Sequence, residues 1–323
     1  MLWSSLLEQN IDPVDLLKTG LFRKHESGNV EDLFQGRFIF PYIRHGRTAY
    51  FIGRITDESP AWEQERKMKY CKLLVHSEKY DYVSDQVENR YFYGEDSVKR
   101  GSDLLITEGV ADCLSALQAG LACVSPGTVQ FAERDHAKIL ELAQRAGTVY
   151  ICNDNEASNA GGKGTLATAR MLWKHGKVAR LVELPRPEGV DKIDLNDFLI
   201  AQGPEAFKAL LPKAKTLLDL TVDQIAQCED DDQLIVLQQE ALDLIAQVEN
   251  RLQRERWRGT MPKRLGLSKS AYDSILGEVA DSAQDDAQAQ ESAIQAPEQY
   301  KVVNGAICMW NSDSGLYRES VSY

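Results

Sequence analysis

Three acidic motifs in one stretch of the chain have the types and spacing to do chemistry together. Glu108-Gly109-Val110-Ala111-Asp112 follows the apolar run Asp103–Thr107, and Asn153-Asp154-Asn155-Glu156 follows Thr148–Cys152. Asp194-Leu195-Asn196-Asp197 comes after a further apolar run, Val178–Leu184. Each run reads as a buried strand, so each motif stands at or beyond a strand's carboxyl end. Carboxylates crowded at one edge repel one another and call for a cation. Hard oxygen ligands in an open site suit Mg²⁺ or Mn²⁺, which keep waters and also bind phosphate. A metal held there would orient a nucleotide and stabilise charge on a transferring phosphoryl group. Glu108, Asp154 and Glu156 are the candidate catalytic and metal-binding residues, with Asp194 as a further ligand. Any one motif alone is better explained as solvated loop acids. Their recurrence, in order and each after a strand, favours the metal site.

The elements that must position these acids are legible as a change of period. Strands are expected at 103–107, 121–125, 148–152 and 178–184, separated by helices at 111–119, 131–145 and 165–175. Short apolar strands alternating with helices indicate βαβ units and a mainly parallel sheet, whose ligands bind beyond the carboxyl ends of the strands. Upstream, two β-rich runs at 37–43 and 49–55 flank Arg44-His45-Gly46-Arg47, a hairpin turn with glycine supplying the awkward backbone angle. Residues 57–100 are polar, rich in Tyr and without a clean period, and are expected to be irregular. After 203 the pattern turns helical, at 205–211, 217–228 and a long run 233–256, with a shorter pair near 257–280. Residues 281–297 are low in complexity and read as a linker. The last 25 or so residues regain apolar and aromatic character and are expected to form strands. The fold class is α/β, with expected divisions at 1–102, 103–212, 213–280, 281–297 and 298–323.

Composition narrows the class. The 323 residues carry a net charge of −12 and are 43% hydrophobic, ordinary for a soluble globular protein. No apolar run approaches a spanning helix, no signal peptide opens the chain, and no membrane is expected among its partners. A cytoplasmic protein, or a fragment of one, is expected. The six cysteines, at 71, 113, 123, 152, 228 and 308, form no CxxC pair. Free thiols in a reducing compartment explain them, and no zinc is expected; Cys71 and His76 would be two ligands without a second pair. The acidic charge is local. Residues 216–300 hold 17 Asp/Glu against 7 Lys/Arg, whereas residues 37–72 hold 8 Lys/Arg against 4 Asp/Glu. A basic track can therefore coexist with a negative total.

The order Glu-Gly-x-x-Asp, then Asp-x-Glu, then Asp-x-Asn-Asp resembles the Toprim domain of DnaG-type primases, topoisomerases and some nucleases, over about residues 103–212. That resemblance implies a Rossmann-like, mainly parallel sheet flanked by helices. It implies Glu108 as the acid/base residue, Asp154 and Glu156 as the metal-binding pair, Asp112 as support for the first motif and Asp194 as an outer ligand. The sequence departs from the family by placing Glu156 where a second Asp is usual, and by an insertion, Ala157–Gly164, whose Lys163 and glycine N–H groups could meet phosphate or form a plain loop. Upstream, residues 38–43 and 51–55, Lys69-Tyr70 and Arg90-Tyr91-Phe92-Tyr93-Gly94 resemble the N-terminal part of the DnaG-type catalytic core, a mixed α+β subdomain. In that family the region forms a basic groove for template and primer, which would make Arg54, Lys69 and Arg90 phosphate contacts lying on one face next to the acids.

What the resemblance implies is a DNA primase: nucleotidyl transfer from nucleoside triphosphates, with Mg²⁺ or Mn²⁺, on a single-stranded DNA template. The chain begins about where the family's zinc-binding domain would end, so a separate zinc-domain or initiation protein is an expected partner, along with a replicative helicase. The helical region around Trp257, Arg258, Lys263 and Arg264 resembles linkers in primase-helicases of phages, plasmids and mobile genetic elements, though a small structural bundle explains it at least as well. Two other functions stay open from sequence: a Toprim nuclease or other strand-cleaving enzyme, and a non-catalytic single-stranded-DNA-binding replication adaptor.

Overall fold

The computed structural model describes residues 2–66, 69–127, 131–156, 160–248 and 250–279, together with the backbone of 300–303, 306–311 and 316–319 (backbone only, too, at 160–161). The chain divides into two compact units, Met1–Leu220 and Thr221–Tyr323. The expected linker at 281–297 lies outside the described residues, as do residues 157–159 of the insertion.

The first unit opens with α1 (Leu2–Glu8), α2 (Pro13–Lys18) and a small antiparallel pair, β1 (Phe22–Lys24) and β2 (Val30–Asp32). Then β3 (Arg37–Arg44) and β4 (Arg47–Ile55) form the expected hairpin. His45 and Gly46, at φ 51° and 72°, make its two-residue turn. Two positive φ values are the mirror-image turn whose twist suits a hairpin. After α3 (Ala61–Glu65), β5 (Tyr70–Lys72) adds to β4 as a third antiparallel strand.

The period change at residue 103 builds a second sheet. The chain there runs through β6 (Leu104–Thr107), α4 (Val110–Gln118), β7 (Cys123–Val124), α5 (His136–Arg145), β8 (Val149–Cys152), the short β9 (Asn155–Glu156), α6 (Ala160–Lys174) and β10 (Ala179–Leu181), of which β6, β7, β8 and β10 form the sheet. The order is β10-β8-β6-β7 and every pairing is parallel. All four residues of β6 are buried, the continuous apolar pattern of a strand covered on both faces. From β6 the chain steps one way to β7 and then returns to the other side for β8. The strand order therefore reverses between β6 and β8, and such a switch point leaves a crevice at the carboxyl ends.

The expected strand at 178–184 ends as a strand at Leu181, and the chain then makes a pairing that no local period announces. β11 (Lys192–Ile193) runs antiparallel to β9, with Lys192 opposite Glu156 and Ile193 opposite Asn155. Next, α7 (Leu195–Lys208) starts ten residues earlier than the helical period indicated, because Asp194 caps it, its side chain accepting from the Asp197 N–H at 2.8 Å. Gly203, at φ 80°, kinks this helix.

One hydrophobic core binds the two sheets. Phe40, Tyr42, Tyr50 and Ile52 of the hairpin pack in one cluster with Leu105, Cys123 and Cys152 of the parallel sheet, Val110 and Cys113 of α4, and Leu195, Phe198 and Phe207 of α7. Tyr93 meets Phe40 and Tyr42 edge to face at 6.1 and 5.3 Å, a preferred aromatic geometry. The buried Glu95 ties the same seam by salt bridges to Arg44 (3.0 Å) and Lys138 (2.6 Å).

The unit boundary falls inside α8 (Leu217–Ile225). In the second unit, the expected single helix over 233–256 is two helices, α9 (Asp231–Ala246) and α10 (Arg251–Arg264). Asn250 caps the second, accepting from the Gln253 N–H at 3.0 Å. A further helix spans 269–279. The backbone then makes three antiparallel strands, β12 (Tyr300–Val303), β13 (Ala306–Asn311) and β14 (Leu316–Glu319), in order β12-β13-β14. Among the described residues no helix is long and apolar enough to cross a membrane.

Candidate active site

The crevice at the β6–β8 switch point is a cleft of about 320 Å³. One wall carries Glu108, Asp112, Asp154, Lys192, Asp194, Asn196 and Asp197. The other comes from the antiparallel sheet and its approach: Arg54, Lys69 and Tyr70. Asp154 also borders a larger hollow of about 430 Å³ lined largely by Leu166, Leu181, Val182, Leu184 and Leu210. None of the other converging acids lines that hollow, so the acidic charge is gathered in the smaller cleft.

The first motif is built around a packing constraint. Glu108 follows β6 directly, and its carbonyl accepts from the Ser125 hydroxyl at 2.8 Å, which ties it to the end of β7. Gly109 has extended backbone, so its need for glycine is one of room. A Cβ there would start 2.4 Å from Asp112 Oδ2. Asp112 sits in the first turn of α4, 6% exposed, and its Oδ1 accepts from the Asn196 N–H at 3.0 Å. The Ser115 hydroxyl bonds Asn196 Oδ1 at 2.6 Å. Two helix N-termini, those of α4 and α7, are thereby locked together with Asp112 between them. Helix N-termini favour negative charge, which suits the acids gathered there.

The junction at the end of β8 is built differently. Asp154 leaves β8, β9 begins at once, and Asn155 Nδ2 bonds the Leu184 carbonyl at 2.9 Å. Asp154 Oδ2 pairs with the ammonium of Lys192. Single carboxylate oxygens of Asp112, Asp154 and Asp194 all lie within 4.8 Å of one another. Octahedral Mg²⁺ sets its oxygen ligands at about 2.0–2.1 Å from the ion, so neighbouring ligands stand roughly 3 Å apart and opposed ones about 4 Å. The set is all oxygen and gathered close to that spacing, and the residues fit a hard divalent cation.

The electrostatics express the crowding. Burial pushes Asp112 up to about 7, with Asp194 adding to it, against the pull of the Asn196 and Gly109 N–H groups. Burial also raises Glu108, helped by Asp154 and Glu156 and opposed by Lys192 and Lys69. Asp154 is raised by burial, with the Lys192 pairing working against it. For Lys192 burial works downward, yet the bond and charge of Asp154 leave it raised. Burial is the largest cause of each carboxyl shift and the neighbouring acids add to it; a cation bound there would favour the charged form of each.

Asp154 and Asp194 thus converge with Asp112, the residue read from sequence as support for the first motif. Glu108 lines the same cleft. Glu156 is half-buried on β9, opposite Lys192, and close enough to raise Glu108 and Asp154. Arg54 and Lys69 line the opposite wall, each over the ring of Tyr70 at about 6 Å (6.0 and 5.9 Å to the centroid). Arg90 lies outside the cleft lining, exposed and paired with Glu88. Lys163 is exposed on α6, also away from the cleft. Sequence reasoning missed Lys192, Ser115 and the structural part of Asn196. The signal for Lys192 was its position two residues before Asp194; nothing local said that its strand pairs with β9.

Residues 103–205 match the Toprim domain family. The chain is similar to the DNA primase of Deinococcus radiodurans, 33% identical over 204 residues, covering 59% of this chain and 32% of that protein. It is similar to the Clostridium acetobutylicum DNA primase, 26% identical over 228 residues, covering 69% and 35%. The chain therefore spans about a third of the length of these relatives. In fold it is similar to the DnaG primase catalytic domain solved bound to single-stranded DNA, with TM-score 0.61 and 22% identity over 82% of this chain and 81% of that one. A Pseudomonas aeruginosa DNA primase domain gives TM-score 0.60 and 21% identity, over 85% and 83%.

Proposed function

We propose that this chain, whose Toprim domain is set in a fold shared with DnaG-type primase cores, synthesises primers, joining nucleoside triphosphates on a single-stranded DNA template. The observation that carries the reading is the cleft itself, where converging carboxylates face Arg54, Lys69 and Tyr70 across about 320 Å³. Asp112, Asp154 and Asp194 would hold Mg²⁺ or Mn²⁺, with Glu108 and Glu156 completing the negative shell. Bound there, the metal supplies Lewis-acid charge for the phosphoryl group being transferred. Glu108, raised by burial and its acidic neighbours, would take the proton of the attacking 3′-hydroxyl. Arg54 and Lys69 neutralise phosphates of template or primer, and Tyr70 offers a face on which a base can stack. Arg90 and Lys163 extend the positive surface beyond the cleft. A replicative helicase and a zinc-domain initiation protein are the partners this activity calls for, in the cytoplasm.

The test is a gel assay with labelled nucleoside triphosphates, single-stranded DNA and Mg²⁺ or Mn²⁺. Short new products are the expected result. Shortened template without new products would replace the reading by a nuclease, and retardation alone by a binding module.

A further inference from the structure

We infer that Lys192 is a built-in counter-cation of the acid cluster, one that yields Asp154 to the divalent metal and then binds the phosphates of the incoming nucleotide. The inference rests on the metal site proposed above and adds a residue to it. The Lys192 ammonium bonds Asp154 Oδ2, and Asp154 is one of the three carboxylates whose oxygens converge. Its field also reaches Glu108 and Glu156. A carboxylate oxygen engaged by an ammonium is not free for a metal, and two cations a few ångströms apart repel. Metal and ammonium therefore compete for the same carboxylate.

Geometry lets the ammonium leave without being lost. The Lys192 side chain is 48% exposed whereas that of Asp154 is 10% exposed, so the lysine is the partner with room to swing. Its backbone is held, because β11 is paired to β9 with Lys192 opposite Glu156, and Asp194 caps α7 two residues on. A freed ammonium on a fixed strand stays within reach of the cleft. Phosphates arriving with a metal restore the negative charge that the metal took up, and a lysine is well suited to bind them as a point charge. Arg54 and Lys69 approach from the opposite wall, beside Tyr70, and serve the polymer side of the cleft.

The experiment uses the full chain as wild type, Lys192→Met, Lys192→Arg and Asp154→Asn, each checked for folding by thermal melting. Mn²⁺ binding without nucleotide is followed by the electron paramagnetic resonance signal of free Mn²⁺. A non-hydrolysable ATP analogue is then titrated at saturating Mn²⁺. Removing a half-exposed competing charge should tighten Mn²⁺ about three- to tenfold in Lys192→Met, the screened end of a close ion-pair interaction. The same variant should bind the analogue roughly tenfold more weakly, with single-stranded DNA affinity unchanged, and Lys192→Arg should restore most of the nucleotide affinity. Mn²⁺ affinity equal to or below wild type in Lys192→Met overturns the inference, as does unchanged affinity for the analogue. If wild type binds Mn²⁺ no better than Asp154→Asn, the metal site itself fails and this inference falls with it.

Discussion

The two strand ends that meet at the switch point carry the same kind of residue and treat it in opposite ways. At the end of β6 the acids are locked. Glu108 is tied through its carbonyl to Ser125, Gly109 leaves room for the Asp112 carboxylate, and Asp112 is bonded to the start of α7. At the end of β8, Asp154 pairs with Lys192, whose half-exposed side chain has room to move, and the next residues form a two-residue strand. One half of the site is thus preorganised by backbone N–H groups and the other is adjustable by a side chain. A rigid half fixes where chemistry happens, and a yielding half lets a metal and its substrate enter and leave.

The largest effect expected from this contrast is at Glu108. Glu108→Gln keeps size and removes charge, so primer synthesis should fall by about 10²–10⁴-fold, the usual span for a lost proton-transfer group. Single-stranded DNA affinity, measured by filter binding on the same preparation, should stay equal or rise slightly. Near-wild-type synthesis by the folded variant would remove Glu108 from the chemistry. Next come two substitutions in the rigid half. Asp112→Ala leaves the Asn196 N–H without its buried partner and should cost about 1–3 kcal/mol in denaturant unfolding. Gly109→Ala should displace the Asp112 carboxylate and weaken Mn²⁺ binding more than it lowers stability. A Gly109→Ala protein with wild-type Mn²⁺ affinity would show that this half is not rigid.

Metal and pH should act through the same residue. In chelated protein, Asp112 has a folded value of about 7 against the ordinary 3.8. A carboxyl raised on folding binds its proton more tightly in the native state, so its contribution is fully present below about pH 4 and is lost as pH rises toward 7. Melting temperature of the chelated wild type should therefore fall across that window more than that of Asp112→Asn. Mg²⁺ at a hundred times its Kd should restore about 2.7 kcal/mol at neutral pH, and less in Asp194→Asn. The smallest effects are expected on the cationic wall. Arg54→Ala and Lys69→Ala should each shallow the salt dependence of single-stranded DNA binding by about one contact or less. Arg90→Ala, already paired with Glu88 outside the cleft, should change it least.

Most of the sheet was readable because its signals are local. The runs at 103–107 and 148–152 became β6 and β8 within a residue, and the His45-Gly46 turn was named by its chemistry. The readings that missed share another cause. β9 and β11 are two residues each and pair across more than thirty residues of chain, so neither has a period to detect, and the place of Lys192 depends wholly on them. Asp194 was read as a further metal ligand, and its second role as the cap of α7 was not seen; an acid preceding a helix can serve both ends, and sequence does not say which. The break between α9 and α10 was hidden by apolar spacing that runs on through it, although Asn250 and Gln253 form a cap signature that was there to be used.

The aromatic seam between the sheets has a consequence for anyone wishing to transplant the acid-bearing half. Tyr42, Phe40 and Tyr93 cover α4 and the β7 edge from outside the 103–212 stretch. Excised at residue 103, that stretch would present Val110, Cys113 and Cys123 to water, a contiguous oily face of the kind that drives self-association. The hairpin is in effect a cover sewn onto the parallel sheet, and a graft that leaves it behind should be recovered as aggregate or be rescued only by supplying residues 1–102 in trans.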